Sequence, residues 1–274
     1  MKSFRAHSNG IIRIKQSPYN GYVATCSDDN TVKIWDTSNW NLIQNYMGHS
    51  NRVYGLEFIN VDTVASGSYD KYITIWSISS GATMLRIETK AEVMSLAYLK
   101  YKLQLAAGLN NGDLNIYNIN TGSLISTLKV MSVVFDLILL NNGFLASSCS
   151  QAVVISSESS IKFNLTGHTN FVYGLKEVSP NSNILASGSS DNTIKIWNTL
   201  TGQLIRTLTG HTNYILWSLD LLNDGQTLVS GSWDQTIKLW NWSTGQLLNT
   251  FNTGLLIRSL AVVNPTIITS TSKY

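Results

Sequence analysis

Four times along a chain of 274 residues, a histidine is followed 21 to 23 residues later by an aspartate. The pairs are His7 and Asp29, His49 and Asp70, His168 and Asp191, and His211 and Asp234. Four residues before each aspartate stands a hydroxyl, at Thr25, Ser66, Ser187 and Ser230. Six residues after it stands Trp35, Trp76, Trp197 or Trp240. A hydroxyl, an imidazole and a carboxylate are the parts of a nucleophilic triad, in which the carboxylate orients the ring and the ring takes the hydroxyl proton. Repetition argues against that chemistry, because four copies of one triad make an odd enzyme. The four sets also use every histidine in the sequence, leaving none for a metal site or a separate acid–base group. No glycine-rich phosphate loop or metal-ligand spacing is present. Neither catalysis, nor a cofactor, nor a bound metal is expected.

A repeat must position these residues. The aromatics Trp35, Trp76, Tyr117, Trp197 and Trp240 recur at a period of just over forty residues, with one unit skipped between Tyr117 and Trp197. Such a period marks one supersecondary unit used many times. Each aromatic ends a short β pattern: DNTVKIW, DKYITIW, NGDLNIY, DNTIKIW, DQTIKLW. Alternation puts Ile194 and Ile196 on one strand face and Lys195 on the other. The rest of each unit is equally regular. A Gly-His turn leads to an apolar strand such as FVYGLKEV, then a turn such as SPNSN, then a strand of small residues such as ILASGS. After the aromatic, a turn such as TLTGQ precedes a fourth strand, LIRTLTG. Four short antiparallel strands per unit, without helical periodicity, predict an all-β array.

Composition narrows the function. The chain is 43% hydrophobic, enough for one large core or several small ones in series. Net charge is +3 and only 13% of residues are charged. The scattered basic residues lack the dense patch or stripe of a nucleic-acid binder. Cys26 and Cys149 fall at small-residue strand positions and read as buried structural thiols in a reducing compartment. The N-terminal MKSFRAHSNG has no apolar stretch, so no signal peptide is expected. The most apolar region, Val130 to Leu140, contains Asp136 and is too short to span a bilayer. A cytoplasmic or nuclear protein without a membrane partner is expected.

Over nearly its whole length the chain resembles the WD40-repeat family. GHTNFVYG…LASGSSDNTIKIWNTLTGQLIRTLTGH and GHTNYILWSLDLLNDGQTLVSGSWDQTIKLWNWSTGQ carry the family's Gly-His, Ser, Asp and Trp spacing. The resemblance implies a β-propeller of four-stranded blades around a central channel. Six units are clear, at about 7–48, 49–88, 89–129, 130–165, 166–208 and 209–250, with a partial seventh at 251–274. The family closes its ring with the N-terminal strand, which points to Met1–Ala6. The third strand of the seventh unit is missing, so the chain is a candidate fragment with an open edge beside Thr266–Ser272.

The resemblance also implies four hydrogen-bonded structural tetrads. They are His7–Asp29–Thr25–Trp35, His49–Asp70–Ser66–Trp76, His168–Asp191–Ser187–Trp197 and His211–Asp234–Ser230–Trp240. Repeat three departs, with Thr89, Ala107, Asn111 and Tyr117 at these positions, and repeat four departs with Val130, Ser147, Gln151 and no clean aromatic counterpart. Those two blades are expected to be the least stable and to show less hydrogen-exchange protection than blades five and six.

In the family, the third and fifth residues after the histidine and the residue before the aspartate face one side, the top. Here they are Gly10, Ile12 and Asp28; Arg52, Tyr54 and Tyr69; Glu92, Met94 and Asn110; Val133, Phe135 and Ser150; and Phe171, Tyr173 and Ser190. Repeat six supplies Tyr214, Trp233 and either Leu216 or Trp217, because its first strand reads as shifted by one; the seventh supplies Leu256 and Arg258. The expected partner-binding set is Arg52, Tyr54, Tyr69, Phe135, Phe171, Tyr173, Tyr214, Trp217, Trp233 and Arg258. Rings and arginine with little lysine are the composition of interface hot spots. The expected function is a monomeric, non-catalytic scaffold that grips a peptide or protein segment. One alternative is a nucleic-acid or chromatin-associated reader. It is disfavoured by a nearly neutral face, Arg52 and Arg258 against Asp28 and Glu92. Another is the sensor propeller of a larger signalling protein.

Overall fold

A computed structural model describes residues 6–130, 132–179, 183–263 and 266–271. They form 26 β-strands and no helix. Blade one is β1 (Ile11–Gln16), β2 (Tyr22–Ser27), β3 (Val32–Asp36) and β4 (Leu42–Tyr46). Blade two is β5 (Val53–Phe58), β6 (Thr63–Ser68), β7 (Tyr72–Ser77) and β8 (Thr83–Glu88). Blade three is β9 (Val93–Leu99), β10 (Gln104–Leu109), β11 (Asp113–Asn118) and β12 (Leu124–Lys129). Blade four is β13 (Val134–Leu139), β14 (Leu145–Cys149), β15 (Ala152–Ser156) and β16 (Ile161–Thr166). Blade five is β17 (Val172–Ser179), β18 (Ile184–Ser189), β19 (Ile194–Asn198) and β20 (Leu204–Leu208). Blade six is β21 (Leu219–Leu221), β22 (Thr227–Gly231), β23 (Thr236–Asn241) and β24 (Leu247–Asn252). A seventh, two-stranded sheet pairs β25 (Ile257–Val263) with β26 (Thr266–Thr271). Each complete blade is an antiparallel meander with its strands in sequence order. The fold is a β-propeller.

There is no single core. Apolar clusters form at each junction between consecutive sheets. Tyr46 of blade one meets Trp76 of blade two, Ile87 meets Tyr117, Leu165 meets Trp197, and Leu208 meets Trp240. The last cluster joins Ile14 and Val23 of blade one to Ala261 and Val263 of the seventh sheet, so the ring closes. Ile14 N–H donates to Ser259 Oγ at 3.1 Å across that junction. The closing strand expected at Met1–Ala6 has residues 1–5 outside the described residues.

Because each sheet is sandwiched between two others, both faces of its inner strands are covered. This explains the small residues of the second strands: a Cβ added to Gly188 would sit 2.7 Å from Ile215 of the next blade. It also qualifies the alternation argument. Lys195 does point away from Ile194 and Ile196, yet it is buried too. Its stem packs and its Nζ donates to Thr207 Oγ1 at 3.0 Å. Cys26 and Cys149 are both buried. Burial pushes the Cys26 thiol up to about 12, which keeps it protonated and unreactive.

Candidate functional site

At one end of the channel, two loops of each blade meet. In five blades a 2.9 Å backbone bond ties the residue before the acid position to the third residue after the histidine position. Asp28 N–H donates to Gly10 O, Tyr69 to Arg52, Asn110 to Glu92, Ser190 to Phe171 and Trp233 to Tyr214. The side chains at these positions therefore stand side by side.

From blade to blade the rings make a continuous row. Tyr69 and Tyr54 have centroids 5.5 Å apart, Tyr54 and Trp217 6.1 Å, Trp217 and Tyr173 5.4 Å, and Tyr173 and Phe135 4.6 Å. Phe171 caps the row, 5.8 Å from Phe135 and 6.3 Å from Tyr173. Tyr214 and Trp233 form a separate pair at 5.6 Å. These are the tilted and edge-on distances at which rings attract. Burial pushes the Tyr69 and Tyr173 hydroxyls above the usual tyrosine range, so both stay neutral. Arg52, Phe171 and Tyr214 are exposed, while Tyr54, Tyr69, Phe135, Tyr173, Trp217, Trp233 and Arg258 are half-buried. Among the other mapped positions, Gly10, Ile12, Met94 and Ser190 are buried and contribute no surface.

The choice between Leu216 and Trp217 is settled by strand register. Leu219 pairs with Ser230 as Leu175 pairs with Ser187, although Leu219 lies one residue farther from its histidine. Trp217 therefore takes the place that Tyr173 holds in blade five, and Leu216 turns into the core. Trp217 is the hub of the mouth. Its indole N–H donates to Phe135 O at 3.0 Å. The Arg13 and Arg258 guanidinium carbons each lie 5.8 Å from its ring centroid, within cation–π range.

Two central residues escape sequence reasoning. Arg13 of blade one crosses the channel to Asp136 of blade four, Nη1 to Oδ1 at 2.5 Å. Its Nη2 donates to Phe135 O at 3.0 Å. Asp136 Oδ2 also accepts from Leu175 N–H of blade five at 2.9 Å. The available signal was a lone acid inside the apolar run VVFDLILL and a cation, Arg13, between the isoleucines of IIRIKQ. Charges on otherwise apolar inner strands need partners, but no local pattern says which. At the rim, Asp28 Oδ2 accepts from Arg258 Nη1 at 2.6 Å, and Arg52 Nε lies 3.5 Å from Asp28 Oδ1. Arg13, Arg52 and Arg258 thus each face a carboxylate.

The repeated His–Asp–hydroxyl–Trp sets lie inside their blades. In blade five, His168 Nδ1 is 2.7 Å from Asp191 Oδ2, and His168 Nε2 is 2.8 Å from Ser187 Oγ. Trp197 Nε1–H donates to that same oxygen at 2.8 Å. In blade six, His211 Nδ1 is 2.7 Å from Asp234 Oδ2 and Nε2 is 2.7 Å from Ser230 Oγ; Trp240 donates at 2.8 Å. In blade two, His49 reaches Asp70 at 2.9 Å and Ser66 at 2.8 Å, and Trp76 donates to Ser66 at 3.2 Å. In blade one, His7 reaches Asp29 at 3.0 Å and Thr25 at 2.7 Å, and Trp35 donates to Thr25 at 2.9 Å. The chain of donors assigns the imidazole proton to Nδ1, leaving Nε2 to accept from the hydroxyl. Burial favours a raised Asp29 pKa, but bonds from Thr31, His7 and Ser8 outweigh it and hold the carboxyl at about 2. Asp70, Asp191 and Asp234 are lowered against burial in the same way, mainly by their histidines. With the hydroxyls buried and already bonded to both imidazole and indole, no substrate carbonyl has a path to them.

Blades three and four are built differently. In blade three, Asn115 Nδ2 donates to Tyr117 OH at 2.9 Å and Asn115 Oδ1 accepts from Thr127 Oγ1 at 2.8 Å. In blade four, Leu145 pairs with Ser156 where Leu185 pairs with Trp197 in blade five, so Ser156 occupies the aromatic slot. Among the described residues, no group of three or more His, Cys, Asp and Glu could hold a metal ion, and no helix is long and apolar enough to cross a membrane.

Comparison with known proteins gives the same reading. The WD40 family model, described as WD domain, G-beta repeat, matches residues 1–36, 40–77, 159–198 and 202–241, together more than half of the chain. Residues 78–158, which hold all of blade three and the first three strands of blade four, fall outside those matches. Protein tipD of Dictyostelium discoideum is 24% identical over 213 residues, covering 73% of this chain and 34% of that protein. Cell division cycle 20.6, cofactor of APC complex, of Arabidopsis thaliana is 29% identical over 177 residues, covering 57% of this chain and 40% of that protein. Nuclear distribution protein PAC1 of Candida dubliniensis is 35% identical over 117 residues, covering 41% of this chain and 22% of that protein. The chain spans well under two thirds of the length of each of these relatives. Four matched repeats, on a ring of antiparallel blades pinned by His, Asp, hydroxyl and Trp, show that this chain belongs to the WD40, or G-beta repeat, family.

Proposed function

We propose that the chain is a non-catalytic interaction scaffold whose channel mouth grips a peptide or protein segment. The observation that carries this reading is the ring row from Tyr69 through Tyr54, Trp217 and Tyr173 to Phe135 and Phe171. A half-buried row of aromatics on a rigid ring offers contact area at little ordering cost. The charges support a protein partner over a nucleic acid. Arg13, Arg52 and Arg258 are each engaged by a carboxylate, so none stands ready to release phosphate counterions. The relative named a cofactor of the APC complex fits a propeller that works by contact with other proteins.

The test is affinity capture from the native cell extract, comparing the wild type with a Tyr69→Ala, Phe171→Ala, Trp233→Ala triple variant of matching circular dichroism. Proteins held by the wild type and lost by the variant support docking at the mouth. Identical capture by both moves the site to another surface. Retention that collapses steeply between low and moderate salt would favour nucleic acid instead.

A further inference from the structure

The turns between first and second strands surround the end of the channel opposite the mouth. Tyr54 of the mouth and Glu57 at this far end stand three residues apart on β5, about 10 Å along the strand. Arg13 and Asp136 span the channel between the two levels. At the far end a cleft of about 380 Å³ opens across blades one to four. Phe58, Ile138 and Leu139 supply apolar wall, and Tyr19, Tyr98 and Tyr101 supply rings. That volume and lining fall in the range of ligand sites.

Blade three differs from the other complete blades at this turn. Their turns, SPYNG, NVD, NNG, PNSN and NDGQ, contain no lysine or arginine, whereas blade three has Lys100-Tyr101-Lys102. Leu103 follows with a φ of 53°, where blades four and five place Gly143 and Asn183 at 84° and 57°. A leucine is strained there. Packing does not account for the choice, because Leu103 is 50% exposed. Strain of this kind clusters at binding sites.

Charge in the cleft is uneven. Both of its carboxylates are already engaged: Lys15 Nζ donates to Glu57 Oε2 at 2.6 Å, and Lys102 Nζ to Glu158 Oε1 at 2.6 Å. Among the described residues no carboxylate pairs with Lys100, whose Nζ lies 4.9 Å from the Tyr101 ring centroid. Tyr101 is 87% exposed, so this cation and ring face solvent together. Burial pushes the Tyr19 and Tyr98 hydroxyls above the usual tyrosine range, and both stay protonated donors. The positive charge of Lys100 is felt at Tyr19, which places the two donors near each other. An incoming group must therefore bring acceptors as well as apolar surface. A nucleic acid would need several free cations along its backbone, and the cleft offers one.

We infer that this cleft is a second docking surface, at the far end of the channel from the aromatic row and independent of it. It takes an acidic, extended segment of another polypeptide. A carboxylate of that segment pairs with Lys100 and accepts from the Tyr19 hydroxyl, while aliphatic side chains beside it pack on Ile138, Leu139 and the Tyr101 ring. The paired charges set which segment is admitted, and the apolar wall holds it.

The test uses the 274-residue chain and an octapeptide of alternating glutamate and leucine carrying a neutral fluorophore, read by anisotropy. The expected result is saturable binding that weakens by about tenfold or more in a Lys100→Gln, Tyr101→Ser double variant, as loss of an anchor does. Both side chains are exposed, so that variant keeps the wild-type melting temperature. A peptide with glutamine in place of glutamate should bind the wild type weakly, and Phe171→Ala at the mouth should leave binding of the acidic peptide unchanged. No saturable binding to the wild type, or equal binding by the double variant, overturns the inference. Equal binding of the glutamine peptide overturns the acidic partner. Loss of binding in Phe171→Ala assigns the peptide to the mouth and overturns the second surface while leaving the first. Tighter binding of oligothymidylate at the same residues, with a steep salt dependence, makes nucleic acid the occupant and overturns it too.

Discussion

Blades five and four are neighbours with the same strand order and opposite means of support. Blade five is pinned from within: His168, Asp191, Ser187 and Trp197 satisfy one another inside one sheet. Blade four has Val130, Gln151, Ser147 and Ser156 at those positions. Ser156 is fully buried in the aromatic slot, and its hydroxyl has no hydrogen-bond partner among the described residues. Beyond its own strand ladder, blade four is tied to its neighbours. Asp136 takes a hydrogen bond from Arg13 across the channel and another from Leu175 N–H of the next blade. Blade three lies between these cases, with the Thr127–Asn115–Tyr117 chain in place of the histidine network. A blade can thus keep its geometry without the family's network, provided its neighbours or a substitute satisfy the buried groups.

The largest test of this contrast is Asp136→Asn. Side chains of Arg13 and Asp136 are only 11% and 9% exposed. Removing one partner of a buried pair costs about 3–5 kcal/mol, so a large fall in melting temperature is expected. A change within experimental error would break the claim that blade four depends on its neighbours. Next comes Ser187→Ala against Ser147→Ala. The first strands a buried indole N–H and an imidazole nitrogen, a loss of about 1–3 kcal/mol. The second removes only a 3.4 Å contact to Val154 O, and denaturant midpoints should separate the two clearly. Ser156→Ala is the sharper control. It deletes an unpartnered buried hydroxyl, so it should leave stability unchanged or raise it by up to about 1 kcal/mol. Destabilisation there would mean that blade four relies on that hydroxyl after all.

The smallest effect is acid sensitivity. The tetrad carboxyls are held below their ordinary range, Asp29 at about 2. A depressed folded pKa contributes stability above the unfolded value, near 3.9, that is lost as pH falls through the folded value. Stability should therefore drop between about pH 4 and about pH 2. Asp29→Asn should flatten part of that slope. Asn111 and Gln151 occupy the acid position in blades three and four, and their amides should show no such window. Equal acid sensitivity in all blades would erase the contrast.

Much of the architecture was legible from the chain alone. The period, the strand alternation and the small second-strand residues are local, and each follows from fitting one sheet between two others. The His, Asp, hydroxyl and Trp spacing was legible because all four lie within one repeat, at separations fixed by strand pairing. The mouth was legible only in part. Positions counted from the histidine found Tyr54, Tyr69, Phe135, Phe171 and Tyr173, but Ile12 and Met94 point inward, and Trp217 was found only as one of two choices. Its first strand carries an extra residue that shifts which side chain reaches the channel.

The sequence by itself determined the repeat, the fold and the composition of the mouth, because these depend on contacts within a unit or between consecutive units. Only the tertiary structure decided that Arg13 meets Asp136, 123 residues away, and that Arg258 meets Asp28 as the ring closes. Those outcomes depend on how blades are placed around a closed circle. Ring closure brings distant repeats face to face across the channel.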